Sequence, residues 1–314
     1  MKLSQTNGTL LKIYGGSIYD SLAHLKRCGF RYIDVSFFEC FLRGSRYWTE
    51  GKAIADEYKK ALCELELVPV QCHEPAGNMI GDDGGEYYLK KASATLAIAS
   101  EIGIPMTVVH PGSRADLIGN TEKSIEENIK SLRRLMPIAE KYNMKILLEN
   151  MPEFTPMNAD ELIAIVDGVN HELLGVNWDV GHGNICGLMQ YDEITKLGSR
   201  LWGVHLHDNC GFFANQEKTK DNYSHHYDIH LAPFYGNINY NAIMTALLEI
   251  GFGGTFNFEV DGPQQRSGVI PFVKDGVEID KLGRQLPPHL REQADTLLYG
   301  IGKYILETYN CYEE

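Results

Sequence analysis

A chain of 314 residues, 44% hydrophobic and 23% charged, has the size and composition of one large soluble globular domain. Its formal charge of −13 argues against non-specific nucleic-acid binding and suits a site dense in carboxylates that a bound cation would partly neutralise. No segment reaches the ~20 apolar residues of a membrane span, and the opening residues carry no apolar run of signal-peptide length, so no membrane contact and a cytoplasmic location are expected. The seven cysteines are odd in number and contain no CxxC, which argues against a disulfide framework or a thiolate zinc knuckle.

Short apolar runs alternate with longer segments of helical period, without a strict repeat. The predicted strands are Leu10–Tyr14, Tyr32–Phe37, Val68–Cys72, Met106–Val109, Lys145–Leu148, Leu174–Trp178, Leu201–Val204 and Thr255–Phe258. Most are continuous apolar or β-branched runs, as buried parallel strands are. Helices are predicted at Ile18–Cys28, Glu86–Ile102, Ala159–Val166, Tyr191–Leu197 and Arg291–Thr308. Further helices are read from Ile54, Tyr58, Ala61, Leu62 and Leu65, and from Ile243, Leu247 and Ile250 before Gly251 as a C-cap. Another runs through Ile125, Ile129, Leu132, Met136 and Ala139, with Ser124 and Glu127 in capping-box spacing and Pro137 expected to kink or split it. Eight strands alternating with helices predict an α/β fold, a (β/α)8 TIM barrel spanning residues 1–314 as one domain. A doubly wound open sheet is the runner-up; its glycine-rich first turn has only a faint counterpart in Tyr14-Gly15-Gly16-Ser17. Three segments are read as long loops, 77–85, 209–227 and 261–288, each placed after a strand end as a lid or an interface arm.

The strand ends carry the chemistry. Successive runs end in His73 (Cys72-His73-Glu74-Pro75), His110 (His110-Pro111-Gly112-Ser113) and Glu149 (Leu148-Glu149-Asn150). The next end in Asp179 with His182, in His205, whose loop continues to Asp228 and His230, and in Glu259. A parallel barrel would bring these nine side chains to one mouth, and imidazole and carboxylate are the usual ligands of a divalent cation. Buried charges without partners are costly, so scattered salt bridges explain six consecutive strand ends poorly. His207 shares a strand face with His205. His24, His171 and His289 read as surface residues, and His225 and His226 fall in the seventh loop.

From about Tyr32 to Glu259 the chain resembles the xylose-isomerase-like TIM barrel superfamily, which includes sugar (phosphate) isomerases and epimerases and the endonuclease IV type of abasic-site nuclease. The resemblance implies a metal held by Glu149, Asp179, His205 and Glu259, with His182 as a substrate-binding histidine. His-Pro-Gly-Ser, Leu-Glu-Asn, Asp-x-x-His, His-Leu-x-Asp and Asp-x-His also resemble motifs of the nuclease branch. That branch would place His73 and His110 with Glu149 on one metal, and His182, Asp228 and His230 on another. Two departures count against it: Ala76 stands where the nuclease has a DNA-binding tyrosine, and His207 stands where it has asparagine. Ketohexose 3-epimerases have an arginine at the position occupied here by Gly211.

Two activities follow. The first is a divalent-metal-dependent sugar or sugar-phosphate isomerase or epimerase acting through a metal-stabilised enediolate. Glu149 and Glu259 would exchange the proton, His182 would assist, and His73, His110, His207 and Trp178 would contact substrate. Phe37, Phe38 and Trp48 are further candidate walls, and the loop Arg43-Gly44-Ser45-Arg46 a candidate grip on a sugar or phosphate. The alternative is a multi-zinc phosphodiesterase of the endonuclease IV type. Manganese suits an oxygen-rich ligand set and zinc a histidine-rich one, with one to three ions per chain. The implied partner is a small-molecule sugar, with no nucleic acid, and self-association into a homo-oligomer is left open.

Overall fold

The computed structural model describes residues 1–38, 40–42, 44–152, 157–211, 228–261, 273–275, 277–278 and 286–314. Eight parallel strands close into a barrel in chain order: β1 (Lys2–Thr6), β2 (Tyr32–Ser36), β3 (Val68–His73), β4 (Met106–Val109), β5 (Lys145–Glu149), β6 (Leu174–Asp179), β7 (Leu201–Leu206) and β8 (Thr255–Phe258). β8 closes the ring on β1, with Lys2 opposite Thr255 and Gln5 opposite Phe258. The ten α-helices among the described residues are α1 (Gly8–Ile13), α2 (Ile18–Cys28), α3 (Gly51–Glu64), α4 (Glu86–Ile102), α5 (Thr121–Tyr142), α6 (Ala159–Val169), α7 (Val180–Ile185), α8 (Gln190–Leu197), α9 (Tyr240–Glu249) and α10 (Pro288–Thr308). None is long and apolar enough to cross a membrane. The fold is the predicted (β/α)8 barrel.

The first predicted strand is a correction. Leu10–Tyr14 is not a strand, since Gly8–Ile13 is the helix α1, and the barrel opens with Lys2–Thr6 instead. A five-residue run, apolar apart from Lys12, does not distinguish helix from strand. β1 escapes apolar pattern reading because Ser4 and Gln5 are buried polar residues, bonded to Asn257 and to the Val260 carbonyl.

Local chemistry accounts for most helix ends. Ser17, Asn158 and Asn239 cap α2, α6 and α9 by accepting backbone N–H groups two or three residues on. α5 begins one turn earlier than the Ser124/Glu127 spacing suggests: Asn120 accepts from Lys123 N at 3.1 Å, and Ser124 lies buried inside the helix. Pro137 does not split α5, which runs unbroken to Tyr142; Pro137 is exposed, on the side of the helix facing water. Gly251 follows α9 with φ +68, as a C-terminal cap requires. The segment 77–85, read as a long loop, is anchored by buried Met79 and Ile80 and by Asn78, which bonds Ser113. The loops at 212–227 and 262–272 lie outside the described residues, as do His225 and His226.

Helices and strands meet in a continuous apolar shell, with Leu10, Ile33, Val35, Ile146, Leu148, Val176, Val204, Phe256 and Phe258 buried. α10 seals the seam between α2 and β1 through a buried polar string. Asp295 accepts from Arg291 Nε at 2.7 Å and lies 2.9 Å from His24 Nε2, while His24 Nδ1 lies 3.0 Å from the Tyr14 hydroxyl. His24 is therefore fully buried and not a surface residue, because its helix face turns inward against α10. His171, half-buried, lies 3.0 Å from Glu140, and His289 is exposed.

A side chain at Gly302, midway along α10, would place its Cβ 2.6 Å from Leu3 and Phe258. At Gly300 it would meet nothing. Gly302→Val should lower unfolding free energy by about 1–3 kcal/mol through overpacking. Gly300→Ala should raise it by up to ~1 kcal/mol through helix propensity. Denaturant unfolding of both variants checks the pair.

Candidate metal centre

Strand pleating decides which side chains reach the barrel mouth. On β6, Asn177 and Asp179 face the axis and Trp178 faces the helices. Register then lines up the strand ends: Glu149 lies opposite Asn177, Asp179 opposite His205, and His205 opposite Asn257. All nine predicted strand-end residues converge at this mouth. Asp228 and His230 arrive by a different route, on a segment that returns to the barrel. Asp208 and Leu231 exchange two backbone hydrogen bonds at 2.7 and 2.8 Å. The Asp208 carboxylate accepts from the N–H groups of Asn209, Phe234 and Ile238. Asp208 thus ties the returning segment in place.

The ligand atoms form overlapping groups. Glu149, Asp179, His205 and Glu259 place one donor each within 4.8 Å of one another. His205 Nδ1 stands 2.7 Å from Glu149 and 2.9 Å from Glu259. On one side, His110 Nε2 and His73 Nε2 lie 2.9 and 3.6 Å from Glu149 Oε2. On the other, Asp228 lies 3.4 Å from His182 Nε2 and 3.2 Å from His230 Nε2. His207 joins this side, 3.1 Å from Asp179 and stacked on the His230 ring at 3.9 Å. Gly181 makes room for it, since a Cβ there would sit 1.9 Å from the His207 ring.

These residues fit a divalent cation. Glu149 Oε2, His205 Nδ1 and Asp228 Oδ1 are buried without a hydrogen bond despite the short separations, so they converge on shared space and do not pair directly. Three histidines are held by backbone carbonyls at Nδ1: His73 by Glu74 at 3.1 Å, His182 by Asn150 at 2.8 Å and His230 by Glu259 at 2.7 Å. Each then turns Nε2 toward the carboxylates, the arrangement that fixes a metal-ligating tautomer.

The charges compensate one another. Burial alone would raise the Glu149 carboxyl, but His205, His110 and His73 pull it well below the usual range. Glu259, whose desolvation also opposes charge, is lowered by His205 and His230, and Asp228 by His230 and His182. Burial opposes charge on the histidines, yet Glu149 and Glu259 hold His205 well above its ordinary value, and Asp179 and Asp228 do the same for His182. His73 is pushed up to about 9 by Glu149 and Glu259 against burial, and His230 to about 10, chiefly by Asp228. His110 moves the other way, lowered because burial outweighs its contact with Glu149.

Beside the centre a cleft of about 290 Å³ is lined by Thr6, Lys12, Ser36, Phe38, Glu259 and Asp261 among others. Phe38 is 39% exposed and stands edge-on to His73. Three aromatic expectations need correction. Trp178 is fully buried among the helices and donates to Gln190 at 2.8 Å, so it cannot contact substrate. Phe37 is packed on Tyr47 and Tyr58, and Trp48 on Phe41 and Tyr87. Arg46 is paired with Glu50 and Glu57, and Arg43 lies outside the described residues. Sequence reading also missed Asn177, which donates to Glu149 at 3.0 Å, and Asn150, which accepts from Asp179 N at 2.7 Å. Both sit beside motif residues, Asn177 two before Asp179 on the same strand face and Asn150 directly after Glu149.

The family model for the xylose isomerase-like TIM barrel matches residues 22–279. The chain belongs to this family. An uncharacterised protein from Methanocaldococcus jannaschii is 32% identical over 167 residues, 51% of this chain and 52% of its own length. The inosose isomerase of Bacillus subtilis is 28% identical over 159 residues, 46% of this chain and 51% of its own. The chain thus spans about half the length of these curated relatives. A D-tagatose 3-epimerase-like protein has the same fold, with a TM-score of 0.70, 22% identity and coverage of 99% and 98% of the two chains. So does an IOLI protein with a bound zinc atom, with a TM-score of 0.68, 18% identity and coverage of 97% and 99%.

The pKa directions set a pH window for the metal-free protein. His73 and His230 are raised from 6.5, so their stabilisation is complete below about 6.5 and is lost as pH climbs through about 9 and 10. Glu149 and Glu259 are lowered from 4.5, so theirs is present above that value and lost as pH falls. Chelator-treated protein should therefore be most stable between about pH 4.5 and 6.5 and lose stability toward pH 9. Metal affinity should rise over the same upward interval, because coordination requires neutral imidazoles. Thermal melts and calorimetric titrations across pH measure both slopes.

Proposed function

We propose that this protein is a divalent-metal-dependent isomerase or epimerase acting on a sugar or a related polyol ketone. The observation that carries the reading is the group Glu149, Asp179, His205 and Glu259, with donor atoms within 4.8 Å of one another at the mouth of the barrel. The inosose isomerase relative and the epimerase-like structural neighbour support the reaction class. Gly211, in place of an arginine, weighs against ketohexose 3-epimerisation in particular.

Those four residues would hold the cation. When bound, it supplies Lewis-acid polarisation of a carbonyl and its neighbouring hydroxyl, which acidifies the intervening C–H. Proton movement falls to the two glutamates. Glu259, whose side chain is 25% exposed and lines the cleft, is placed to take the proton at Oε2. Glu149, buried and held at Oε1 by Asn177, is the partner that returns a proton to the other carbon or to the opposite face. His110 and His182 sit at the rim to orient hydroxyls, and Phe38 closes the cleft from the side of β2. His207 acts one step back, by fixing Asp179.

A second reading is favoured by one observation. Asp228 lies 3.4 Å from His182 and 3.2 Å from His230, a pair of contacts that a single-cation isomerase does not require. Three cations at the two sides and centre of the cluster would suit a multi-zinc phosphodiesterase. Elemental analysis of protein purified without chelator separates the two. About one manganese or similar ion per chain, with turnover of a keto-sugar or keto-inositol, supports the isomerase. Two or three zinc ions with cleavage of an abasic duplex would replace it. Under the isomerase reading, Glu149→Gln and Glu259→Gln should each lower kcat by roughly 10²–10⁴, as loss of a general acid–base group does.

A further inference from the structure

Beneath His205 the barrel interior holds a polar string that the proposed chemistry does not use. Gln71 Nε2 lies 2.9 Å from His205 Nε2 and donates to Asp34 Oδ2 at 3.2 Å. Asp34 Oδ2 also accepts from Asn257 Nδ2 at 3.0 Å, and Asn257 in turn bonds Ser4. Asp34 stands 3.9 Å from the same His205 nitrogen. Gln71 and Asp34 are each 1% exposed, in a barrel interior that apolar side chains would fill at lower cost. His205 differs from His73, His182 and His230, whose ring protons backbone carbonyls hold at Nδ1. It turns Nδ1 to the carboxylates instead, so its ring proton must sit on Nε2 whenever Nδ1 offers a lone pair.

We propose that Gln71 and Asp34, as alternative acceptors for a ring proton at Nε2, fix the tautomer and ring orientation of His205, presenting the Nδ1 lone pair to the cation between Glu149 and Glu259. A half-turn of the Gln71 amide exchanges its oxygen and nitrogen, so Oε1 accepts from Nε2–H and the bond from Gln71 to Asp34 is given up. Without that turn, Asp34, 3.9 Å away, is the alternative acceptor after a small side-chain shift. Gln71 lies two residues before His73 on the same strand face, which ties the orientation of His205 to β3. The inference rests on the metal-dependent reading above.

The test measures zinc and manganese affinity by competition with a chromophoric chelator, and His205 tautomer by two-bond ¹H–¹⁵N correlation of zinc-loaded protein. Removing both acceptors, in Gln71→Leu/Asp34→Ala, should weaken binding by roughly 10–100-fold, the usual cost of losing such a partner. Gln71→Glu, which keeps an acceptor at Nε2, should bind at least ten times more tightly than Gln71→Leu. Thr107→Val, equally buried in the barrel, should bind as the unaltered protein does. In the loaded unaltered protein, His205 should carry its proton on Nε2. Wild-type affinity in the double variant, or a proton on Nδ1 of His205, overturns the proposal and leaves the functional reading intact. If the double variant does not fold, the tautomer measurement on the unaltered protein decides. No uptake of either ion by the unaltered protein overturns the functional reading and this inference together.

Discussion

Glu149 is surrounded by three imidazoles, 2.7 Å from His205, 2.9 Å from His110 and 3.6 Å from His73, at a site almost closed to water. A carboxylate buried alone would protonate, and a histidine buried alone would stay neutral. Each stays poised for charge here because the other is present. The rest of the mouth follows from that constraint. Asn177 fixes one Glu149 oxygen, backbone carbonyls fix three histidine rings, and the remaining lone pairs converge. Such a cluster adds little to stability by itself, since desolvation offsets most of the attraction. Its plain physical use is to gather donors that a cation can satisfy better than they satisfy one another.

The barrel carries this cluster at low local strain because each member stands at the end of a strand or just beyond one. The outer shell of Leu, Ile, Val and Phe residues sets strand register, and register sets which carboxylate meets which imidazole. A one-residue slip on β6 would turn Asp179 outward and bring Trp178 to the axis. The bulky indole is locked outward by Gln190 and by close packing on Gly183, so the alternation is enforced from the helix layer. The mouth and the apolar shell are in this sense one structure.

Asp208 extends the same logic to residues that no strand delivers. By collecting the backbone N–H groups of Phe234 and Ile238 from a distant segment, it brings Asp228 and His230 onto the cluster, where His230 stacks on His207. The cluster therefore has a strand-built half and a loop-built half. The functional alternatives differ in how much of the loop-built half holds metal.

The sequence by itself determined the barrel, seven of its eight strands and the residue types at the strand ends. Apolar runs of strand length, punctuated by histidine or acid, report burial and its interruption directly. It misplaced β1, because polar residues that face the barrel interior carry no apolar signature. It misjudged Trp178 and His24, because a residue type does not reveal which face of its element meets the helix layer. Only the tertiary structure decided which donors share space, that His205 turns Nδ1 and not Nε2 to the carboxylates, and that Gln71 and Asp34 lie beneath it. These are relations among β2, β3, β5, β7 and β8. They arise when register and closure bring distant strands together, and distances of that kind are not encoded in local periodicity.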